Sequence, residues 1–191
     1  MTICLVGSEM CIRDRRKVKA RAPKEDDRAA AIIHDQFTKW DRTRASPTRD
    51  AKETEIALKE FCDGIKPGHI YSDNSGEIKL ACENLGFSRN TSTPHRPETN
   101  AVAERSVRRI KEGTACALYQ SGFSDEWWKE AMYCFTFLHN ILQVMTHGKT
   151  PYEARFGIPF PGKLILPFGC HVRYTPIHQA DKARCLSLIH I

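Results

Sequence analysis

Hydrophobic and polar positions alternate along the chain with periods that predict an ordered set of strands and helices from about residue 29 onward. Residues 29–33 form a continuous apolar run, typical of a buried strand that ends at His34 and Asp35, and residues 42–45 are expected to pair with it as a hairpin. Strands early and helices last predict an α/β layered core. Further strands are predicted at 70–72 and 87–91, and helices at 50–62, 77–85, 101–120, 125–144 and 151–156.

Capping residues support these helices. Asp50 and Ser124 precede apolar-periodic segments and are predicted N-caps. Pro151 suits the first turn of the last helix, and Gly64 and Gly157 suit helix ends. The apolar faces are predicted to consist of Ile56, Leu58 and Phe61 in the first helix, and of Val107, Ile110, Thr114, Ala117 and Leu118 in the helix at 101–120.

Composition narrows the class of protein. The chain has 191 residues, enough for one domain with a real core, and its net charge of +6 permits a polyanionic partner without requiring one. Its apolar runs are too short to span a bilayer, and no signal peptide is evident. The eight cysteines include no C-x-x-C pair and the histidines show no metal-binding spacing, so reduced thiols inside a cell are expected.

The candidate chemistry lies between residues 69 and 109. Asp73 follows a short apolar strand, and Glu104 lies in the opening of a helix, with a proline-containing loop at 92–100 between them. Two carboxylates brought together this way suit phosphoryl transfer by two metal ions. A more ordinary interpretation of each stays open, since Asp73 could form a turn and Glu104 could favour the positive end of a helix dipole.

The motifs SDNSGE and STPHRPETNAVAER resemble the second and third acidic blocks of the retroviral-type integrase catalytic core, and the resemblance is strongest to Copia-type retrotransposon polyproteins. Downstream segments WWKEA, TPYE and PFGC match that family in the same order, so the resemblance covers about residues 29–174. The chain departs from the family at Ala101, where glycine is usual. Alanine is expected to be tolerated there if the backbone is helical.

The resemblance implies an RNase-H-like α/β fold with additional C-terminal helices, and a metal-dependent polynucleotidyl transferase. It implies that Asp73 and Glu104 act as catalytic metal ligands for Mg²⁺ or Mn²⁺. It further implies DNA partners (element ends and target DNA), a homo-oligomer, and nuclear action for the intact parent.

Basic residues around Glu104 are candidates for DNA binding. Helical spacing places Glu104, Arg108 and Lys111 on one face, with Arg105 and Arg109 beside it. These cations could hold phosphates, or they could form a solvated charged face. Four more polar residues are candidates for DNA contact: Asn74, His95, Arg96 and Asn100. The last three could instead form a mobile polar loop. The pair Trp127 and Trp128 could stack on bases, although an apolar helix favours core packing for at least one of them.

Both ends are expected to be foreign to the gene. Residues 10–14 can be encoded by ATG TGT ATA AGA GAC, followed by AG, and the reverse complement CTG TCT CTT ATA CAC AT translates as residues 186–191. This DNA word resembles a transposase-type sequencing adapter, with coincidence between two short peptides as the alternative. Residues 1–15 and 186–191 are therefore predicted artefacts, residues 16–122 a truncated catalytic core, and residues 123–185 a C-terminal helical extension.

The family uses three acids, and the first belongs on the strand before residues 29–33, about 15–25 residues before Asp35. That region coincides with the expected adapter junction, so the sheet is predicted to lack its first strand and the two-metal site to be incomplete. The favoured hypothesis is an integrase whose fragment is inactive. The alternatives are a non-catalytic nucleic-acid-binding remnant of a decayed element and a host nuclease of the same fold, which the downstream segments disfavour.

Overall fold

The computed structural model describes residues 2–9, 27–91, 101–162, 165–172 and 189–190. A five-stranded sheet has the order β3-β2-β1-β4-β5, in which β1 runs antiparallel to β2 and parallel to β4. A separate two-stranded ladder joins β6 to β7. The strands are β1 (Thr2–Glu9), β2 (Ala29–Asp35), β3 (Asp41–Ser46), β4 (His69–Ser72), β5 (Arg89–Thr91), β6 (His171–Val172) and β7 (Ile189–His190). The helices are α1 (Ala51–Cys62), α2 (Gly76–Leu85), α3 (Ala101–Ser121), α4 (Trp128–Leu142) and α5 (Pro151–Phe156).

The central position of the sheet is filled by β1, so the prediction of a missing first strand is wrong. Leu5 pairs with Ile33 on one side and with Ser72 on the other. Strand pairing uses main-chain groups, so an apolar segment rich in strand-forming residues can satisfy both neighbouring edges whatever the origin of its codons. The strand also lies further from Asp35 in sequence than expected. The adapter origin of these residues stays a prediction.

Helices cover both faces of the sheet, which confirms the predicted α/β layering. Ile32 and Ile33 are adjacent in β2 and point to opposite faces. Ile33 packs with Leu58 and Phe61 of α1, whereas Ile32 packs with Ile110 of α3 and with α4. Each face therefore has its own apolar layer, and β2 contributes to both.

A third apolar cluster joins the end of α3 to the start of α4. Leu118 packs there with Phe168, from the PFG segment predicted to belong to the same fold. Trp127 and Trp128 are half-buried and pack against this cluster. Their packing supports the structural interpretation of the tryptophan pair over a base-stacking platform.

Asp50 is confirmed as a helix cap, whereas the predicted cap Ser124 makes no side-chain capping hydrogen bond and precedes a 3₁₀ turn at Asp125–Trp127. Asp50 accepts a hydrogen bond from the amide of Glu53, and Thr150 forms a capping box with Glu153 ahead of Pro151. The end of α1 differs from the prediction, because Asp63 rather than Gly64 is the first left-handed residue, at φ 48°. Ala101 is the first residue of α3, and alanine is a good helix former, so it suits the position where the family has glycine. Within the described parts of the chain, no helix has the length and apolarity needed to cross a membrane.

Candidate functional site

Asp73 follows the last residue of β4 and lies half-buried beside the start of α2. Its side chain accepts one long hydrogen bond among the described residues, from the amide of Ser75 to Oδ1 at 3.4 Å. The neighbouring Ser72 is fully buried. The end of β4 holds the main chain of Asp73 in place, and its carboxylate oxygens keep lone pairs that could bind a further group.

Arg89, which no sequence pattern singled out, holds the main chain of Asp73 in place. Its Nη1 donates to the main-chain oxygen of Asp73 at 3.1 Å and lies 3.0 Å from Ser72 Oγ. The Ser72 hydroxyl also donates to the Asp73 oxygen, at 2.9 Å. The only sequence signal was a basic residue in a predicted strand, which is too common to single out.

Glu104 lies in the first turn of α3 with an exposed side chain. The helix packs on β1 and β2, whereas Asp73 follows β4, the strand that pairs with the other edge of β1. The connecting loop, with His95, Arg96 and Asn100, lies outside the described residues. Their predicted contact with DNA stays a prediction.

The central strand brings no acid to this position. Leu5 pairs with Ser72, so continuing the parallel register by one residue sets Val6 beside Asp73. The nearest acid in β1 is Glu9, three residues further on and therefore about 10 Å along the strand. Among the described residues of β1, none places an acid directly beside Asp73.

The donor chemistry suits a hard divalent cation only in part. Carboxylate oxygens such as those of Asp73 and Glu104 are preferred ligands of Mg²⁺ and Mn²⁺. Among the described residues, however, no group of three or more histidine, cysteine or acidic side chains could hold a metal ion. The described residues therefore do not by themselves form a metal centre of three such ligands.

The predicted DNA-binding residues divide into two groups. Arg105 and Arg108 are exposed on α3, Asn74 is exposed after β4, and Lys111 is half-buried. Arg109 instead points inward, where its Nη2 lies 2.6 Å from Oδ2 of Asp41. Its guanidinium is therefore engaged within the fold, which gives the residue a structural role that the sequence did not indicate.

Asp41 is the centre of a buried polar network. His34 Nδ1 lies 2.8 Å from Asp41 Oδ1, and Asn140 bonds both the amide and the carbonyl oxygen of Asp41. His139 Nε2 is 3.5 Å from Asp41 Oδ2. Burial lowers the pKa of His139 and Arg109 lowers it further, whereas the Asp41 carboxylate raises it and His34 lowers it. No sequence pattern links these residues, because four separate elements contribute them.

The chain is similar in sequence to known transposon proteins. No protein-family model matches the chain. It is 30% identical over 149 residues to the retrovirus-related Pol polyproteins from transposons RE2 and RE1 of Arabidopsis thaliana, an alignment that covers 73% of the chain. The chain spans about a tenth of the length of these relatives, since the alignment covers 10% of each.

Solved structures of retroviral integrases share this fold. The catalytic core domain of BIV integrase matches with a TM-score of 0.55 at 18% identity, over 80% of this chain and 91% of that one. The HTLV-2 integrase catalytic core domain in complex with magnesium matches with a TM-score of 0.57 at 18% identity, over 80% of this chain and 94% of that one. A simian T-cell lymphotropic virus intasome in complex with PP2A regulatory subunit B56 gamma matches with a TM-score of 0.61 at 18% identity, over 86% of this chain and 58% of that one.

The sequence and fold comparisons agree with each other and confirm the RNase-H-like fold class. The chain is a homologue of a segment of retrovirus-related transposon Pol polyproteins, and it has the fold of a retroviral integrase catalytic core.

Proposed function

We propose that this chain corresponds to the catalytic core of a retrotransposon integrase whose parent joins element DNA to target DNA in the nucleus. We further propose that the chain as it stands binds DNA without joining it. The observation that carries both parts is the position of Asp73. It is a half-buried, ligand-competent carboxylate at the end of β4, beside a register position in β1 that holds Val6 instead of an acid.

Under this proposal, acidic residues of the chain would bind the metal ion and arginines of α3 would bind the DNA backbone. Asp73 would hold a divalent ion from the end of the sheet, and Glu104 would approach the same ion from the first turn of α3. A bound Mg²⁺ or Mn²⁺ ion would supply the Lewis acidity that phosphodiester attack by a 3′-hydroxyl requires. Arg105 and Arg108 would hold the DNA backbone from the exposed side of α3, which gives affinity without sequence reading.

The proposed inactivity follows from the residue at the register position beside Asp73, which is Val6 and not an acid. A two-metal centre needs ligands that fix both ions while the attacking and leaving oxygens are bound. Among the described residues only Asp73 and Glu104 are proposed as ligands, so under this proposal one ion would be held weakly and the second would have no dedicated ligand. DNA binding does not depend on this centre, because the exposed arginines lie on α3 and not on β1.

Restoring the acid tests this explanation directly. The purified 191-residue chain and a Val6→Asp variant are incubated with supercoiled plasmid and a duplex carrying a free 3′-hydroxyl, in Mg²⁺ or Mn²⁺. The unaltered chain is expected to bind DNA without nicking or joining it. Val6→Asp is expected to gain metal-dependent nicking that disappears when Asp73→Asn is added.

Two results would contradict the proposal in different ways. Metal-dependent joining by the unaltered chain that is lost in Asp73→Asn would overturn the inactivity and retain the site. Salt-sensitive DNA binding with no activity in a folded Val6→Asp variant would favour the non-catalytic remnant. Circular dichroism on each variant shows whether the sheet has formed before activity is compared.

A further inference from the structure

We infer that Arg89 is a positioning residue that fixes the metal-binding carboxylate of Asp73 through its main chain. This inference rests on the proposed function and adds a residue that the acidic motifs do not include. Arg89 lies in β5, directly beside β4, and pairs in register with Ile70. Its side chain therefore reaches forward along β4 to the point where the strand ends.

The hydrogen bonds of Arg89 converge on the backbone of the site. One guanidinium nitrogen contacts both the Asp73 carbonyl oxygen and the Ser72 hydroxyl, and that hydroxyl donates to the same carbonyl. The three groups form a closed triangle around the Asp73 carbonyl. The rotation of the peptide unit after Asp73 is thereby restrained, and with it the direction in which the side chain leaves the sheet.

Arg89 restrains Asp73 without occupying its carboxylate. Among the described residues, that carboxylate accepts only from the amide of Ser75. An arginine bound to the carboxylate itself would compete with a metal ion for the same lone pairs. Bonding to the main chain leaves those lone pairs for an ion while the ligand stays oriented.

The positioning role of Arg89 can be distinguished from a purely electrostatic effect of its charge on metal binding. A guanidinium beside a cation site repels a divalent ion, so its removal would tighten metal binding if charge were its only effect. Loss of an outer-shell restraint weakens metal binding instead, typically by about 10- to 100-fold. The two interpretations therefore predict opposite changes in metal affinity when Arg89 is removed.

The experiment is a Mn²⁺ titration of the isotope-labelled full chain, followed by paramagnetic broadening of the backbone amides at residues 73–75. Arg89→Ala is expected to weaken the apparent affinity by about 10-fold or more. Arg89→Lys keeps the charge and offers a single donor group, so a smaller loss is expected. Lys79→Ala is the matched control, because it removes a cation from α2 that pairs with Glu83 rather than with Asp73. The Mn²⁺ affinity of Lys79→Ala should equal that of the unaltered chain or slightly exceed it.

The outcomes distinguish this inference from the proposed function. Broadening that persists in Asp73→Asn would show that the ion binds elsewhere, and would overturn both. Broadening that depends on Asp73 but is as strong or stronger in Arg89→Ala would overturn the positioning role alone. If Arg89→Ala does not fold, Arg89→Lys decides by the same criterion, with unchanged affinity counting against the inference.

Discussion

Arg109 of α3 donates to Asp41 of β3 across 2.6 Å, and the carboxylate that it reaches has no solvent exposure. This ion pair ties the helix that carries Glu104 to the β2–β3 hairpin. Asp41 also accepts from His34, so one buried charge is shared by a guanidinium and an imidazole. The pair gives a defined position to α3 against the sheet, whereas DNA binding by Arg109 stays a prediction.

Removal of Arg109 should therefore destabilise the fold more than removal of its exposed neighbour. Arg109→Ala leaves the Asp41 carboxylate buried without its closest cation, and breaking a buried pair in this way costs about 3 kcal/mol. Because Arg109 itself is about a third exposed, a loss of about 2 kcal/mol in the free energy of unfolding is expected. Urea denaturation measures it.

Arg108→Ala is the control for this prediction. Arg108 precedes Arg109 in α3 and its side chain is exposed, so its substitution should change the free energy of unfolding by about 0.5 kcal/mol or less. Equal losses in the two variants would show that the Asp41–Arg109 pair does not stabilise the fold.

Acidification should weaken the same network through His139. Burial and Arg109 lower its pKa below the ordinary 6.5, against the opposing effect of Asp41. Below that ordinary value the unfolded chain takes up the proton before the folded chain does. The stability contributed by neutral His139 is therefore full above about pH 6.5, and it is lost as the pH falls through the folded-state pKa.

The measurement compares urea midpoints at about pH 7.5 and about pH 5. His139→Gln should lose less stability on acidification than the unaltered chain, because its side chain does not titrate. His147→Gln is the control, since His147 is exposed after α4. A variant at residue 139 that shows the same pH dependence as the unaltered chain would remove His139 from the explanation.

The exposed arginines of α3 should contribute to DNA binding as counterion-releasing contacts. Arg105→Ala and Arg108→Ala are each expected to weaken duplex binding and to reduce the slope of log affinity against log salt by about 1. Fluorescence anisotropy over a range of salt concentrations measures both quantities. Lys79→Ala on α2 should leave the slope unchanged, and Asp73→Asn should not weaken binding. A slope unaffected by either arginine would place the DNA on another surface.

Local sequence signals predicted most of the fold because local physics determines those elements. The alternation at Ile32 and Ile33, the cap at Asp50 and the Thr150–Pro151 start of α5 each depend on residues close in sequence. The family motifs indicated Asp73 and Glu104 as candidates for the same reason, since each lies within one short segment, and their role stays a prediction.

Contacts across the fold could not be predicted in this way. Arg89 meets Asp73 only because β5 pairs with β4, and Arg109 meets Asp41 only because α3 packs over the hairpin. The position of β1 was missed for a different reason. The reading frame bears on the origin of the codons, whereas strand pairing depends only on whether the backbone of residues 2–9 can join two open edges.

The turn at Gly169 offers a test of how the PFG segment is held. Gly157 and Gly169 have nearly the same left-handed backbone, with φ of 77° and 76°. A Cβ added at Gly157 would meet no atom within 4 Å, whereas one at Gly169 would collide with Ser121 Cβ and approach the ring of Phe123 to 2.9 Å. The two positions therefore have the same backbone strain, but only Gly157 has room for a side chain.

Gly157→Ala should therefore lower the free energy of unfolding by about 1 kcal/mol, from the left-handed strain alone. Gly169→Ala should cost at least about 1 kcal/mol more, because the end of α3 must shift or Phe168 must leave its place beside Leu118. Urea denaturation of both variants gives the difference. Equal losses would mean that the PFG turn is not packed against Ser121 and Phe123. A larger loss at residue 169 would support the close packing of the downstream segment on α3 and α4.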